Sequence, residues 1–232
     1  PDAPAQHGKA AGCLFMTLEA NCIRLIMELR KQGITDSRVL GAIERVPREA
    51  FVPETFRDQA YENTALPIGS GQTISQPAVV AFMTQELKIG DRMKILEVGT
   101  GSGYQAAVLA KLCRRLYSIE RHRDLLLEAE QKFRDLRINN ITAKSGDGTK
   151  GWPEQAPFDR IIVTAAATTD IPHALLDQLA LDGIMIAPMG TTARDQHLYR
   201  FTFDTEGALQ REQMWPVRFV PLIGDEEAKA SG

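Results

Sequence analysis

The chain has 232 residues, 44% apolar and 25% charged, the profile of a globular protein with one sizeable core. A formal charge of −3 gives no overall attraction to phosphate backbones, and the short basic clusters at 111–115 and 121–123 suit solvated helix faces, so no nucleic-acid partner is expected. No run of about 18 apolar residues is present to span a bilayer, and no charged start with an apolar h-region marks a secretory signal.

In chain order, residues 1–18 open with Ala, Gly and polar types and read as a disordered leader. Residues 19–31, "EANCIRLIMELRK", carry Ile23, Ile26 and Met27 at helical spacing, and Gly33 follows as a stop. "DSRVLGAIERV" predicts a second helix, opened by Asp36 and closed near Pro47. Next comes "GSGQTISQP" at 69–77, a polar run leading into "AVVAFMTQEL". Ser75 there has two readings: the cap of the following helix, whose first turn Pro77 favours, or a hydroxyl facing a substrate.

From residue 93 short apolar runs alternate with amphipathic stretches. "MKILEVG" (93–99), "RLYSIE" (115–120), "ITAKSGD" (141–147), "FDRIIVTAA" (158–166) and "GIMIAPMG" (183–190) predict strands; "YQAAVLAKLC", "RDLLLEAEQKFRDL" and "IPHALLDQLA" predict helices between them. Strict alternation argues an α/β fold, a Rossmann-like doubly wound, mostly parallel sheet. "HLYRFTF" and "VRFVPLI" have no helix between them and predict an antiparallel C-terminal edge. The expected organisation is one domain over 19–224, with 19–92 a helical and loop subregion, 93–224 the core and 225–232 a tail.

Cys13, Cys22 and Cys113 form no pairwise disulfide framework and no metal knuckle, which fits a reducing cytoplasm. His7, His122, His173 and His197 have no metal-ligand spacing, so no metal is expected.

The chemistry concentrates at "ILEVGTGSGYQAA". Gly99, Thr100, Gly101 and Ser102 follow the first long strand, where open α/β sheets bind nucleotides. Gly101, Gly103 and Ala106 also satisfy G-x-G-x-x-A, so a nicotinamide cofactor stays open. Three acids favour S-adenosylmethionine. Glu97 would repel a pyrophosphate but suits a ligand with a free amino group. Glu120, ending the second strand, is placed to accept from two ribose hydroxyls. Asp147, beside Gly148, is placed to meet an exocyclic adenine amine.

The segments "VPREAFVP", "LPIGSGQTISQP", "ILEVGTGSGYQAAVLA", "SGDGTKGW", "FDRIIVTAAA" and "VRFVPL", in this order over roughly residues 20–224, resemble the protein-L-isoaspartate O-methyltransferase family. The resemblance implies methyl transfer from S-adenosylmethionine to the free α-carboxylate of isoaspartyl residues in damaged proteins and peptides, giving an ester that cyclises to a succinimide. It also implies that Ser75 is the active-site serine. Thr73, two residues earlier in the loop, is a hydroxyl donor expected among the cofactor-binding residues. A carboxylate of pKa about 3.5 is already ionised at neutral pH, so the reaction needs positioning and not a general base. The expected oligomeric state is a monomer. Against the alternatives, "VTAAATTDIP" lacks the Asn/Asp-Pro-Pro-aromatic grip of a nucleobase methyltransferase, and its small Ala165, Ala166 and Ala167 leave space. No histidine or Tyr-x-x-x-Lys arrangement at a strand end serves a dehydrogenase.

Overall fold

The computed structural model describes residues 7–225, with side chains from Leu18 onward. Helix α1 runs from His7 to Lys31. It therefore begins inside the stretch read as a disordered leader: Ala10, Ala11, Leu14, Met16 and Leu18 are strong helix formers, and composition alone concealed them. Residues 1–6 of that leader, and 226–232 of the tail, lie outside the described residues. Gly33 closes α1 at φ +91, with Ile34 N–H reaching back to the Leu29 carbonyl at 3.1 Å, a left-handed stop as the sequence suggests. Helix α2 (Ser37–Arg45) is capped by Asp36, whose carboxylate accepts from the amides of Arg38 and Val39.

A short 3-10 segment at Arg48–Phe51 leads to a two-stranded ribbon, β1 (Leu66–Pro67) and β2 (Thr73–Ile74), and to helix α3 (Pro77–Glu86). Strand β3 (Lys94–Val98) then starts the main sheet. It is followed by α4 (Tyr104–Ala110), β4 (Arg115–Glu120), α5 (Arg123–Asp135), β5 (Ile141–Ser145), β6 (Phe158–Val163), α6 (His173–Leu176), β7 (Leu179–Met189), β8 (His197–Phe203) and β9 (Leu209–Pro216). The sheet order is β5-β4-β3-β6-β7-β8-β9. The first five strands are parallel; β8 and β9 are antiparallel. This is the Rossmann-like architecture expected, and the order reverses between β3 and β6.

Because side chains alternate across a pleat, the central strands feed two separate cores. Ile95, Leu116, Ile162 and Ile186 pack beneath α1–α5, in a cluster that includes Leu29, Ile43, Phe51 and Met83. Leu96, Val98, Ile161 and Met185 pack on the other face with Leu175 and Leu176 of α6. The N-terminal helices thus cover the same sheet face as α4 and α5.

Two elements differ from expectation. "IPHALLDQLA" gives only one helical turn, since Leu179 and Ala180 already belong to β7, whose pairing with β6 shifts register between Phe158 and Arg160. The edge hairpin pairs β8 with 209–216, not with "VRFVPLI". A strand exposed along most of its length needs no apolar alternation, so "LQREQMWP" carries no period-2 signal. Residues 217–223 instead cross the carboxyl ends of the strands as a strap, joined to the loop after β6 by a parallel bridge between Ala166 and Pro221.

Candidate active site

A cleft of about 1160 Å³, open solvent included, lies at the carboxyl ends of β3, β4 and β6, where the strand order reverses. Gly99, Thr100, Gly101 and Ser102 line it, together with Glu120, Thr73, Ser75 and Gly148. Gly99 has φ +99, and a Cβ there would stand 2.2 Å from Thr164 Oγ1. That hydroxyl donates to the Gly99 and Val98 carbonyls at 2.7 and 3.0 Å, so Thr164 pins the loop to the end of β6. Thr100 Oγ1 lies 2.6 Å from Ser118 Oγ, fixing the loop to β4. Ser102 Oγ accepts from Tyr104 N–H at 3.2 Å at the start of α4.

The three acids have different fates. Glu120 is 5% exposed; one carboxylate oxygen accepts from Gly101 N–H at 2.8 Å and the other from His122 N–H at 2.9 Å. Each oxygen keeps acceptor capacity toward the cleft. Glu97 is wholly buried beneath the loop, not among the lining residues. It accepts from Ser118 Oγ at 2.5 Å, and its Oε1 has no partner among the described residues. Burial pushes its carboxyl up to about 8, against the lowering effect of the Ser118 bond and with help from the Glu120 charge. Asp147 is turned into a neighbouring cavity with Lys150, Thr149 and Asp225. Its Oδ1 accepts from Thr149 N–H and Oγ1, and its Oδ2 from Asp225 N–H at 3.0 Å and, as an ion pair, from Lys150 at 3.4 Å. Burial acts to raise its pKa, but these bonds together hold it below the usual carboxylate range. The side chain expected to meet adenine is thus spent on fastening the strap, and adjacent Gly148 takes its place in the lining.

Ser75 is not a cap. The cap position of α3 is Gln76, which makes no side-chain capping bond, and the first free amide after Pro77, that of Ala78, is taken by Asn63 Oδ1 at 3.0 Å. The Ser75 hydroxyl has no hydrogen-bond partner among the described residues and borders the cleft. Its carbonyl accepts from Arg48 Nη2 at 2.9 Å, and Arg48 Nε donates to the Ala60 carbonyl at 2.8 Å. Arg48 is completely buried, with its guanidinium carbon 4.7 Å from the centre of the Tyr104 ring. Burial lowers its pKa to about 10, well above neutrality, while Tyr104 acts to raise it.

Sequence reasoning missed the strap: Phe219 to Ile223 line the cleft. Ala166 N–H donates to the Val220 carbonyl at 2.7 Å and Leu222 N–H to the Ala166 carbonyl at 2.8 Å. Gln196 accepts from Phe219 N–H at 2.6 Å. Its apolar run "VRFVPLI" predicts a strand, but the segment pairs with the sheet only at the Ala166–Pro221 bridge. Of the three alanines after β6 only Ala165 lines the cleft; Ala166 and Ala167 are buried and hold the strap and β7. Ile74, Val80, Arg121 and His122 also line it, without a distinguishing sequence signal.

A glycine loop over a switch point, with an acid ending the next strand, defines a Rossmann-like enzyme that binds a nucleoside-containing cofactor. Residues 20–227 match the family model protein-L-isoaspartate(D-aspartate) O-methyltransferase, and the chain belongs to that family. Protein-L-isoaspartate O-methyltransferases of Paramagnetospirillum magneticum and Rhodospirillum centenum are 64% and 58% identical to it, over 88% and 93% of this chain and 95% and 97% of theirs. Among solved structures, a protein-L-isoaspartate O-methyltransferase superposes with TM-score 0.79 at 28% identity, over 88% of this chain and 66% of that one. A Plasmodium falciparum relative in complex with S-adenosyl-L-homocysteine gives TM-score 0.75 at 26% identity, over 86% and 97%.

The cleft fits S-adenosylmethionine. Glu120 offers two amide-anchored oxygens to a ribose, and Gly148 lines the cleft at a point where a Cβ would stand 2.4 Å from Val98 Cγ1, so that no side chain is accommodated there.

Proposed function

We infer that this protein transfers a methyl group from S-adenosylmethionine to the free α-carboxylate of L-isoaspartyl residues in damaged proteins and peptides. Family membership supports the activity, and one structural observation carries the assignment of residues: the Thr73–Ser75 segment and the Gly99–Ser102 loop with Glu120 border one cleft. When bound, S-adenosylmethionine supplies a sulfonium methyl that passes to a carboxylate oxygen as the sulfur retains the bonding pair. Glu120 and the Gly99–Ser102 loop hold the cofactor, the loop through the Thr100 and Ser102 amides, since those of Gly99 and Gly101 already donate to the Ile119 carbonyl and to Glu120, and Gly148 borders the adenine. Thr73 lines the same cleft, and Ser75 offers its unpartnered hydroxyl to the acceptor carboxylate and sets its approach. Glu97 contributes from beneath the loop, through Ser118 and Thr100, by keeping the loop in place. No side chain has to remove a proton, because the acceptor is already an anion.

Residues 19–224 act as one domain in this reading, and the N-terminal helices and the sheet share a core that supports it. The protein is further read as a cytoplasmic monomer without nucleic-acid or membrane partners, which its charge of −3 and buried thiols at Cys22 and Cys113 support. Among the described residues no helix is long and apolar enough to cross a membrane.

The test is radiolabelled methyl transfer to an isoaspartyl peptide and to its normal aspartyl isomer. The isomers share composition and charge but place the free carboxylate one methylene apart, and an error of about 1 Å costs about a hundredfold. Strong labelling of the isoaspartyl peptide alone is expected. Equal labelling of both would overturn the substrate assignment and leave the cofactor assignment standing.

A further inference from the structure

Arg48 has no counter-ion among the described residues. Its Nη1 has no hydrogen-bond partner among them, and the side chain is completely buried. The nearest carboxylate in sequence, Glu49, accepts instead from the Tyr61 hydroxyl at 2.5 Å. Buried charges are ordinarily paired, because desolvation without compensation is costly. Of its two hydrogen bonds, that from Nε goes to the Ala60 carbonyl and that from Nη2 to the Ser75 carbonyl at the cleft; the guanidinium also lies against Tyr104, a cleft-lining residue whose hydroxyl is likewise without a partner among the described residues. The Ser75 carbonyl shares a peptide unit with Gln76 N–H, which has no partner among the described residues. A cation bonded to a peptide carbonyl polarises the whole unit and strengthens its N–H as a donor.

We propose that Arg48 is a positioning residue that fixes the Ser75 peptide and supplies, from behind it, the positive charge matched by the acceptor's carboxylate. Arg48 does not touch the acceptor. It acts through Ser75 and through its field, which a dry surrounding leaves largely unscreened. This rests on the isoaspartyl reading, since the acceptor must be an anion. It assigns a role to the "VPREAFVP" segment, which lies outside the cofactor loop.

The experiment measures binding of an isoaspartyl peptide and of its neutral α-carboxamide analogue to the protein saturated with S-adenosylhomocysteine. It compares the unaltered protein with Arg48→Met and Arg48→Lys. In Arg48→Met the preference for carboxylate over carboxamide should fall at least tenfold, with S-adenosylhomocysteine affinity within twofold of the original. In Arg48→Lys the preference should survive, while KM for the peptide rises about tenfold, because one nitrogen replaces the two that hold the Ala60 and Ser75 carbonyls. An unchanged preference in Arg48→Met overturns the proposal. So does an equal loss of affinity for cofactor and both peptides, the mark of a merely structural side chain. If Arg48→Met does not fold, Arg48→Lys decides: original KM and kcat overturn the proposal, and a raised KM at unchanged cofactor affinity supports it. Failure of the isoaspartyl reading shows separately, as no methylation of the isoaspartyl peptide by the unaltered protein, and takes this proposal with it.

Discussion

One part of the cleft, Gly99–Ser102 with Glu120, hangs from the middle of a seven-stranded sheet. The rest, residues 71–75 and 219–223, has no ladder longer than the two-residue pairing of β1 with β2. The first is fixed by backbone pairing on both sides of β3. The second is fixed by individual side chains: Arg48 and Asn63 around Ser75, and Gln196 and Asp147 along the strap. Cofactor binding and acceptor positioning are thereby assigned to mechanically different material. Substitutions on the sheet side should cost stability or cofactor affinity most heavily, and on the loop side the loss of the Ser75 hydroxyl should cost turnover, while its supporting side chains should cost modest stability or affinity.

The largest expected effect is on the sheet side. Gly99→Ala puts a Cβ into the Thr164 hydroxyl at a positive φ, and unfolding experiments should show a loss of about 3 kcal/mol. Adding Thr164→Ala should restore part of this, since the clash goes but the backbone strain stays. A fully stable Gly99→Ala would mean that the loop is softer than the sheet from which it hangs.

Glu97 probes the same side through pH. Its folded carboxyl stays protonated up to about 8, whereas an unfolded glutamate titrates near ~4.3. Between these values the folded state binds more protons, so the Glu97 contribution to stability should fall as pH rises through that window and level off above it, by on the order of a few kcal/mol. Glu97→Gln should remove this slope from thermal melts taken between pH 5 and 9. A slope that persists would assign it to another group.

The next contrast sets the two strand-end acids against each other. Glu120→Ala should weaken S-adenosylhomocysteine binding by roughly ten- to a hundredfold in calorimetry, the effect of about 1.5–3 kcal/mol of charge-assisted bonding. Asp147→Ala should weaken it by less than about threefold, an indirect effect through the strap. Equal losses would return Asp147 to direct contact with the ligand.

The smallest pair lies on the loop side. Ser75→Ala should lower turnover about tenfold with unchanged stability, because its hydroxyl caps nothing. Asn63→Ala should cost about 1 kcal/mol of stability, because Asn63 does the capping from another loop. Reversed outcomes would make Ser75 a structural residue.

What the sequence made legible follows the same division. Strands β3, β4 and β6, the glycine loop and Glu120 were readable, because a doubly wound sheet imposes its rhythm locally and its binding loop follows the first strand. "RLYSIE" is β4 residue for residue. Asp147 had the right residue type in the right place, yet its partner is an amide 78 residues away, which no local pattern announces. The strap was misread because an apolar run flanking prolines looks the same whether it joins a sheet or crosses its end. Ser75 looked like a cap because the cap is borrowed from Asn63, again across a turn.

The strap has a further consequence for how the protein is made. Its bonds to Ala166, to Gln196, to Asp147 and from Arg121, whose guanidinium reaches the Ile223 carbonyl across 102 positions of sequence, all join segments synthesised at different times. A chain emerging from the ribosome can assemble the glycine loop and the parallel strands while residues 217–225 are still in the exit tunnel. The cleft is complete only when that segment has emerged and crossed the finished sheet. A product cut short before residue 217 would lack the strap that lines the cleft, together with the packing of Val217, Phe219 and Leu222 on the two cores.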